Sequence, residues 1–554
     1  MQIIIPMSGY GERFRRVGYK VPKPLIEIEG KPIIAHIIDL FPGESNFIFI
    51  CNEDHLHNKD YGMADILNKY CPTGRVIGIA PHKLGPVHAV NQVEDIIDLD
   101  EPTIVNYCDF SCLWDWDHFK NYVIESGCDG AIPSYKGFHP HSLGTTNYAY
   151  IKEKNGIISD IQEKQPFTDN RMEEYASSGT YYFASAKIMF ESFENMIDKK
   201  LSLNGEYYVS LAYKSLLESS NSVMVYPLQH FMQWGTPEDV HEYNYWSKTF
   251  KKIINIELND MPIGSKVIPM AGLGERFAKE GYKKIKPLIE VSGLPMVIQA
   301  SNDLPKSEKN VFVVRSDMPD YEKLITELEI NYPDGVVKSI DKITEGQACT
   351  ADIGVKALKE NFTENLEPLI IGTCDNGAIY DYDSYRSIIN DPKTDIVVWG
   401  IRGYANAIRN PEMFGWIDSK NKKINSISVK KALSDTSNDP IVLGIFTFKS
   451  IDIFEKVTSS LFERDGRING EFYMDSCIED AIKMGLNCTL FEVDSYLCWG
   501  TPNDMLTFNY WQSCFHQWSG HTYSIFDDKR VPDEKKRTLA DSYILDGSIN
   551  NGDI

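Results

Sequence analysis

The chain has 554 residues, and 56 basic against 79 acidic side chains give it a formal charge of -23 at pH 7. This length excludes a single small module, and the negative charge excludes an extended nucleic-acid-binding surface. Hydrophobic residues make up 42% of the chain, yet no apolar run reaches the roughly 20 residues of a membrane span, so we expect no membrane insertion.

Short β-rich runs alternate with amphipathic stretches from the first residues onward. The pattern predicts a strand at 2–5, a helix at 33–40, and further strands at 46–51 and 104–107. Later in the chain the same succession returns, with strands expected at 266–268, 311–315 and 369–372. Strands that alternate with helices predict an α/β fold, with a mainly parallel sheet covered by helices on both faces. Ligands of such sheets bind at the carboxyl ends of the strands.

The sequence contains an internal duplication. Residues 6–32 align without gaps on residues 269–295, with 17 of 27 positions identical. Shorter matches follow in the same order, namely NYCDF with GTCDN, SSGTYYF with VLGIFTF, NGEYY with NGEFY, and WGTP with WGTP. A repeat of about 250 residues is the size of a whole domain. We therefore predict a first domain at 1–250, a linker at 251–265, a second domain at 266–518 and a polar, extended tail at 519–554.

Each unit has a glycine-rich turn directly after its first strand. Gly9 and Gly11 in the first copy, and Gly272 and Gly274 in the second, would let backbone N–H groups approach a phosphate. A plain tight turn is the alternative. The turn is neither a dinucleotide fingerprint, which needs a third glycine, nor a P-loop, which needs Gly-Lys-Ser/Thr. Basic residues recur at fixed spacing after both turns, so each turn is locally positive within an acidic chain.

The combination of Gly-x-Gly-x-Arg with a following Lys-Pro-Leu segment resembles the signature of sugar-phosphate nucleotidyltransferases, the NDP-sugar pyrophosphorylases. The likeness covers both halves of the chain and implies two tandem Rossmann-like domains of the GT-A type. It implies catalytic roles for Arg13, Lys23 and Lys164 and for Arg276, Lys286 and Lys431, and a Mg2+ ligand role for Asp109 and Asp375. For the nucleotide it implies contacts from Met7, Ser8, Gly9, Gly11 and Gly85, and from Met270, Ala271, Gly272, Gly274, Gly346 and Gln347. For the second substrate it implies contacts from Gly144, Gly179 and Glu206, and from Gly444 and Glu471.

Both halves depart from the pattern of that family. Many members have a second metal-binding aspartate two residues before the late Gly-Thr-Pro, where Gln233 and Cys498 stand here. Residues 85–89 of the first half are expected to face the base, and Pro86 in that loop has no backbone N–H to donate. Asp109 and Asp375 could alternatively be turn or helix-capping residues.

The segments after Gly137 and Gly403 align without gaps but share few residues. We hypothesise that they line the substrate side of each site and that the two halves bind different substrates. The residues concerned are His139, His141, Thr145 and Asn147 in the first half and Ala405, Ala407, Pro411 and Met413 in the second. Exposed loops that are free to diverge are the alternative. We interpret the aromatic residues next to Glu206 and Glu471 as core.

The sequence thus predicts a cytoplasmic tandem nucleotidyltransferase. Each half would transfer NMP from an NTP to a sugar 1-phosphate, or to a similar phosphorylated polyol or amino alcohol, with Mg2+ as cofactor and for surface-polysaccharide synthesis. Eleven cysteines without paired spacing favour reduced thiols and hence the cytoplasm. There are two alternatives. In the first, one half is catalytic and the other is a regulatory nucleotide-binding domain; in the second, the chain is a GT-A-type glycosyltransferase. The sequence leaves the base, the acceptor and the oligomeric state open.

Overall fold

The computed structural model describes residues 1–145, 147–256 and 261–542. These residues form two compact units, the first with Met1–Asn244 and Gln517–His521 and the second with Tyr245–His516 and Thr522–Ser542. The first unit thus ends before residue 250, inside a helix. The reason is packing, because Trp246 and Phe250 of that helix contact the ring of Phe508 in the second unit's own core.

The strands of the first unit are β1 Gln2–Met7, β2 Glu27–Ile28, β3 Lys31–Pro32, β4 Phe47–Asn52, β5 Arg75–Ile79, β6 Thr103–Asn106, β7 Phe110–Leu113, β8 Gly130–Tyr135, β9 Ala149–Lys154, β10 Ile157–Glu163, β11 Tyr175–Ser177, β12 Thr180–Phe183, β13 Val223–Leu228 and β14 His230–Gln233. The helices are α1 Glu12–Arg16, α2 Ile33–Asp39, α3 Glu53–His57, α4 Met63–Tyr70, α5 Pro86–Asn91, α6 Trp116–Ser126, α7 Ala186–Asp198, α8 Val209–Glu218 and α9 Pro237–Ile253, in which the chain passes to the second unit.

The strands of the second unit are β15 Ser265–Pro269, β16 Glu290–Val291, β17 Leu294–Pro295, β18 Lys309–Arg315, β19 Val336–Ile340, β20 Leu369–Ile371, β21 Asn376–Ile379, β22 Ile396–Ile401, β23 Gly415–Lys420, β24 Lys423–Val429, β25 Ile441–Phe448, β26 Cys488–Glu492 and β27 Ser495–Cys498. The helices are α10 Glu275–Lys279, α11 Met296–Asn302, α12 Tyr321–Asn331, α13 Gln347–Asn361, α14 Tyr382–Asn390, α15 Ala405–Arg409, α16 Ile451–Glu463, α17 Met474–Lys483, α18 Pro502–Gln517 and α19 Asp533–Ser542.

Both units contain the same mixed sheet. In the first unit the strand order is β11-β9-β10-β13-β8-β12-β6-β1-β4-β5, with β6, β1, β4 and β5 parallel. The second unit repeats it as β23-β24-β26-β22-β25-β20-β15-β18-β19. The one difference is that β25 runs unbroken where the first unit divides the strand into β11 and β12. The α/β fold and its duplication are therefore confirmed.

The centre of each sheet is buried on both faces. All six residues of β4 are buried, as expected for a parallel strand covered by helices on both sides. In the first unit, apolar residues of α5, α7 and α8 pack with the central strands in one cluster. Within the described ranges, no helix is both long enough and apolar enough to cross a membrane.

Residues 519–542 differ from the extended tail that the sequence predicts. Tyr523 and Ile525 are buried in the second unit, and Arg530 forms an ion pair of 2.8 Å with Asp303 of the same unit. Burial of these side chains fixes a segment whose composition is otherwise polar. The predicted linker is also partly helical, since α9 continues to Ile253. Residues 257–260 and 543–554 of the predicted linker and tail lie outside the described residues.

Candidate active site

The candidate site of each unit lies at the carboxyl ends of its parallel strands. In the first unit β1 and β6 are adjacent and parallel, so the turn after Met7 and the segment after Asn106 emerge at the same edge of the sheet. Asp109 lies in that segment, directly before the short ribbon strand β7. The second unit places Asp375 in the same way, between β20 and β21. Adjacent strand ends therefore bring the glycine turn and the aspartate together.

The glycine turns have the backbone that the motif requires. Gly11 and Gly274 have φ angles of 64° and 65°, the left-handed conformation that side chains with a Cβ adopt only with strain. Each of these glycines immediately precedes a short helix that carries the motif arginine, Arg13 or Arg276. Both arginines are exposed, so their guanidinium groups are open to a ligand.

A lysine contacts the aspartate in each unit. Lys23 Nζ donates to Asp109 Oδ2 at 2.8 Å, and Lys286 Nζ donates to Asp375 Oδ2 at 2.6 Å. Burial disfavours the ammonium form of Lys23, but the carboxylate of Asp109 outweighs it and the pKa of Lys23 is raised. The same two opposing effects raise the pKa of Lys286 beside Asp375. Both lysines are therefore protonated and positively charged at the strand ends.

A second cationic group lies on the other side of the first site. Lys164 follows β10 with a φ of 58°, and its Nζ donates to the hydroxyl of Tyr208 at 2.7 Å. That hydroxyl in turn donates to Glu206 Oε2 at 2.7 Å. Tyr208 is partly buried and belongs to the site rather than to the core, contrary to the sequence interpretation.

These groups line one cavity of 630 Å³ in the first unit, within the size range of small-molecule sites. The predicted residues that line it are Met7, Ser8, Gly9, Gly11, Arg13, Lys23, Gly85, Asp109, Lys164, Gly179 and Glu206. Gly144 is not among the lining residues. Its carbonyl instead accepts a hydrogen bond of 2.6 Å from Arg171, which links the loop around Gly144 to the segment of Arg171.

Other lining residues were missed or misjudged from the sequence. Glu163, directly before the predicted Lys164, and Tyr107, within the NYCDF motif, also line the cavity, but neither was among the predicted site residues. His139 and His141 were hypothesised to line the substrate side, but both are buried beside Tyr135 and neither lines the cavity. Desolvation lowers the pKa of His139 to about 3, so its ring is neutral in the folded protein. Asn147, which the same hypothesis named, does line the cavity.

In the second unit a different lysine from the predicted Lys431 lies at the position equivalent to Lys164. Lys430, not Lys431, follows β24 directly and has a φ of 56°, as Lys164 has after β10. Lys430 Nζ lies 5.9 Å from the centre of the Tyr473 ring and donates to the carbonyl of Met413 at 2.5 Å, whereas Lys431 is exposed. The strand register, which two consecutive lysines leave ambiguous in the sequence, decides between them.

Several predicted positions of the second unit correspond in place to those of the first. Gly346 precedes α13 with a φ of 128°, as Gly85 precedes α5 with a φ of 90°. A Cβ at either glycine would overlap the backbone of the residue that faces it, Tyr207 or Phe472, so both loops need glycine. The other predicted residues lie at the equivalent strand ends and turns: Met270, Ala271 and Gly272 after β15, Gln347 at the start of α13, Gly444 in β25 and Glu471 before α17.

Each site offers one carboxylate to a metal ion. In the first unit a Cβ at Gly235 would lie 2.5 Å from Gln233 Nε2 and 3.1 Å from Asp109 Oδ2, which places the Gln233 amide beside that aspartate. In the second unit burial raises the pKa of the Cys498 thiol far above its usual value, so this group stays protonated and is a poor ligand. No cluster of three His, Cys, Asp or Glu side chains suited to a metal occurs among the described residues. One carboxylate with phosphate oxygens and water fits Mg2+.

Comparison with known proteins shows what the first unit is similar to. Residues 2–244 match the family model described as nucleotidyl transferase, the range that the structure separates as the main part of the first unit. This match confirms the predicted relationship for that unit.

Individual relatives are more distant. The chain is 26% identical to the bifunctional protein GlmU of Methanococcus vannielii over 275 residues. This alignment covers 48% of this chain and 61% of that protein. It is 24% identical to mannose-1-phosphate guanyltransferase beta-A of Xenopus laevis, over 38% of this chain and 58% of that protein. The chain spans about half the length of the curated relatives it matches. Among solved structures, a nucleoside-diphosphate-sugar pyrophosphorylase of Vibrio cholerae aligns with a TM-score of 0.36 and 17% identity, over 44% of this chain and 99% of that one.

Proposed function

We propose that this chain, whose residues 2–244 match the nucleotidyl transferase family model, transfers a nucleotidyl group from an NTP to a small phosphorylated acceptor in each of its two units. The observation that carries the proposal is a shared arrangement of charged groups. In both units a lysine that is hydrogen-bonded to a strand-end aspartate lies beside the glycine turn. A second lysine, Lys164 or Lys430, directly follows the antiparallel strand β10 or β24.

The arrangement suits a reaction between two anions. An oxygen of the acceptor phosphate attacks the α-phosphorus of the NTP, a new P–O bond forms, and the bond to the β-phosphate oxygen breaks to release pyrophosphate. No proton has to move, so the protein must mainly neutralise and align charge. In the first unit the glycine turn, Arg13 and Lys23 would hold the NTP phosphates, while Lys164 would hold the acceptor phosphate. In the second unit Arg276, Lys286 and Lys430 would take these roles.

Asp109 and Asp375 are the residues that would hold a Mg2+ ion. When bound, this ion would neutralise phosphate charge and fix the geometry of the phosphate chain. Lys23 and Lys286 orient these carboxylates through the hydrogen bonds already described. With the Gln233 amide and the Cys498 thiol beside the aspartates, the proposed ion would have one protein carboxylate in each unit.

The acceptor class is the finer part of the proposal. A sugar 1-phosphate, or a phosphorylated polyol or amino alcohol, would place a phosphate on Lys164 or Lys430 and hydroxyl groups near Glu206 or Glu471. The printed names of the relatives include a mannose-1-phosphate guanyltransferase, which supports a sugar phosphate among these classes. We also propose that the products supply surface-polysaccharide synthesis in the cytoplasm. The eleven cysteines, all free thiols, support that location.

A pyrophosphate-release screen tests the proposal. The full chain, its Asp109→Asn variant and its Asp375→Asn variant are assayed with four NTPs against a panel of phosphorylated sugars, polyols and amino alcohols. We expect each variant to lose one subset of NTP and acceptor pairs by at least about 100-fold and to retain the other. Loss of every activity in one variant, with altered ligand dependence in the other, would instead indicate one catalytic and one regulatory unit. Sugar transfer from an NDP-sugar without pyrophosphate exchange would contradict nucleotidyl transfer.

A further inference from the structure

Three positions around the acceptor lysine differ between the two units in a concerted way. In the first unit Ala149 of β9 pairs with Glu163 of β10, and Ser210 lies in the first turn of α8. The second unit has glycine, valine and aspartate in the corresponding places. These are Gly415 paired with Val429 across β23 and β24, and Asp475 in the first turn of α17.

In the first unit the carboxylate beside the lysine comes from the strand. Glu163 immediately precedes Lys164 and accepts a hydrogen bond from Ser210 Oγ at 2.6 Å. Ala149 and Glu163 both line the cavity. Burial raises the pKa of Glu163. The hydrogen bond from Ser210 and the positive charge of Lys164 partly offset this rise. Glu163 is therefore an acidic group built into the acceptor side of the first site.

In the second unit the carboxylate comes from the helix. Val429 leaves the strand position without charge, and Asp475 supplies a carboxylate from the position of Ser210. The glycine at 415 makes this possible, because a Cβ there would overlap with Oδ2 of Asp475. An alanine here, as at the equivalent position of the first unit, would force the Asp475 carboxylate to move from this place. The three differences compensate one another.

The Asp475 carboxylate has few polar partners in the protein besides its own backbone N–H. Asp475 is partly buried and interacts electrostatically with Lys430, which lies near Arg276 and Glu471. Lys430 itself donates to the carbonyl of Met413. In the described part of the chain no side chain donates a hydrogen bond to Asp475, whereas Glu163 accepts one from Ser210. A buried carboxylate gains from such a donor, because desolvation otherwise disfavours its charge.

We propose that Asp475 is a specificity-determining residue of the second unit, where its carboxylate accepts a hydrogen bond from a hydroxyl or ammonium group of the acceptor whose phosphate binds Lys430. This inference rests on the proposed function and names the feature that separates the two acceptors. The acceptor of the second unit presents its donor towards helix α17, and that of the first unit presents its donor towards strand β10. The two units therefore select different phosphorylated compounds.

The test uses the full chain with the first unit silenced by Asp109→Asn and Lys164→Gln. Binding of the panel of phosphorylated sugars, polyols and amino alcohols is measured by calorimetry, and pyrophosphate release is measured in parallel. Asp475→Ser is then introduced, with Glu479→Gln on the same helix as the control. A third variant combines Gly415→Ala, Val429→Glu and Asp475→Ser, and so installs the first unit's arrangement in the second.

We expect Asp475→Ser to weaken the preferred acceptor about 10- to 100-fold, with an unchanged KM for the NTP and unchanged binding of an analogue that lacks the donor group. The triple variant should shift acceptor preference towards that of the first unit. Equal weakening of all acceptors, or no weakening, would overturn the inference, as would a triple variant with the original preference. Binding without turnover in the silenced parent would contradict the proposed activity of the second unit, yet the Asp475 comparison would remain decisive through calorimetry.

Discussion

The two units agree closely on one side of their sites and differ on the other. Lys23 with Asp109 and Lys286 with Asp375 form the same bonded pair, at 2.8 and 2.6 Å, after the same left-handed glycine turn. On the acceptor side the neighbouring carboxylate moves from Glu163 on a strand to Asp475 on a helix. If the proposed function holds, the contrast means that binding of the NTP phosphates imposes one geometry, while the acceptor side tolerates rearrangement as long as one carboxylate stays near the lysine.

The largest expected effect is on the shared side. Lys23→Ala should lower pyrophosphate release by the first unit about 100- to 1,000-fold, because it removes a charge aimed at the phosphates, and Lys286→Ala should do the same in the second. Each rate is measured with the acceptor specific to that unit. Lys20→Ala and Lys283→Ala are the controls, since both lysines are exposed near the same turns. Equal losses in the control variants would show that the rate of pyrophosphate release depends on the positive charge of the turn in general and not on the lysine that is hydrogen-bonded to the aspartate.

A second contrast concerns acid stability. Burial lowers the pKa of His230 in the first unit to about 4, and the corresponding residue of the second unit is Ser495. The unfolded chain binds a proton near pH 6.5 and the folded unit does not, so stability is complete above that pH and falls as the pH drops towards 4. The expected loss is about 3 kcal/mol from this histidine.

Hydrogen exchange of peptides from each unit in the full chain, at pH 7 and pH 5, measures this difference. The first unit should lose protection on acidification more than the second. His230→Ser should reduce that dependence on pH, even if the substitution lowers stability at both values. An unchanged slope in the His230→Ser protein would show that other groups control the acid response.

The third prediction separates two neighbouring lysines. Lys430→Met should raise the KM of the second unit for its acceptor about 10- to 100-fold, since a charge-assisted contact to phosphate is lost. Lys431→Met should change it less than about 3-fold, because that side chain is exposed. Steady-state kinetics in the Asp109→Asn background measures both. The reverse order would restore the original sequence prediction and contradict the register of β24.

The smallest expected effect tests whether the two glycine turns are equivalent. Gly11→Ala and Gly274→Ala should each cost about 1–2 kcal/mol of turn conformation, and so weaken NTP binding about 5- to 30-fold. Gly18→Ala and Gly281→Ala are matched controls, since both glycines also have a positive φ and a Cβ at either position meets no atom within 4 Å, yet neither is a predicted nucleotide contact. NTP titration of each unit measures the change. Weakening in only one unit would show that the turns have diverged.

Sequence reasoning succeeded where the motif was contiguous and repeated. Lys23 and Asp109 were predicted because the same residues recur in the second half at matching spacing, and the structure brings them together. It did not distinguish Lys430 from Lys431, because residues 429–433 (VKKAL) contain two adjacent lysines and only the pairing of β23 with β24 shows which one follows the strand end. Asp475 and Glu163 were missed for a related reason. The signal was present as a glutamate-to-valine and a serine-to-aspartate difference, but these positions lie far apart in the sequence.

The sequence by itself determined the duplication, the alternation of strands and helices, and the lysines and aspartates that can neutralise phosphate. These follow from short-range patterns, because hydrophobic periodicity, glycine turns and local charge are encoded within a few residues. Only the tertiary structure decided that the unit boundary falls inside α9, that residues 522–542 pack into the second unit, and that Asp475 replaces Glu163 beside the acceptor lysine. Each of these depends on long-range packing, which sets where a side chain lies and what it contacts.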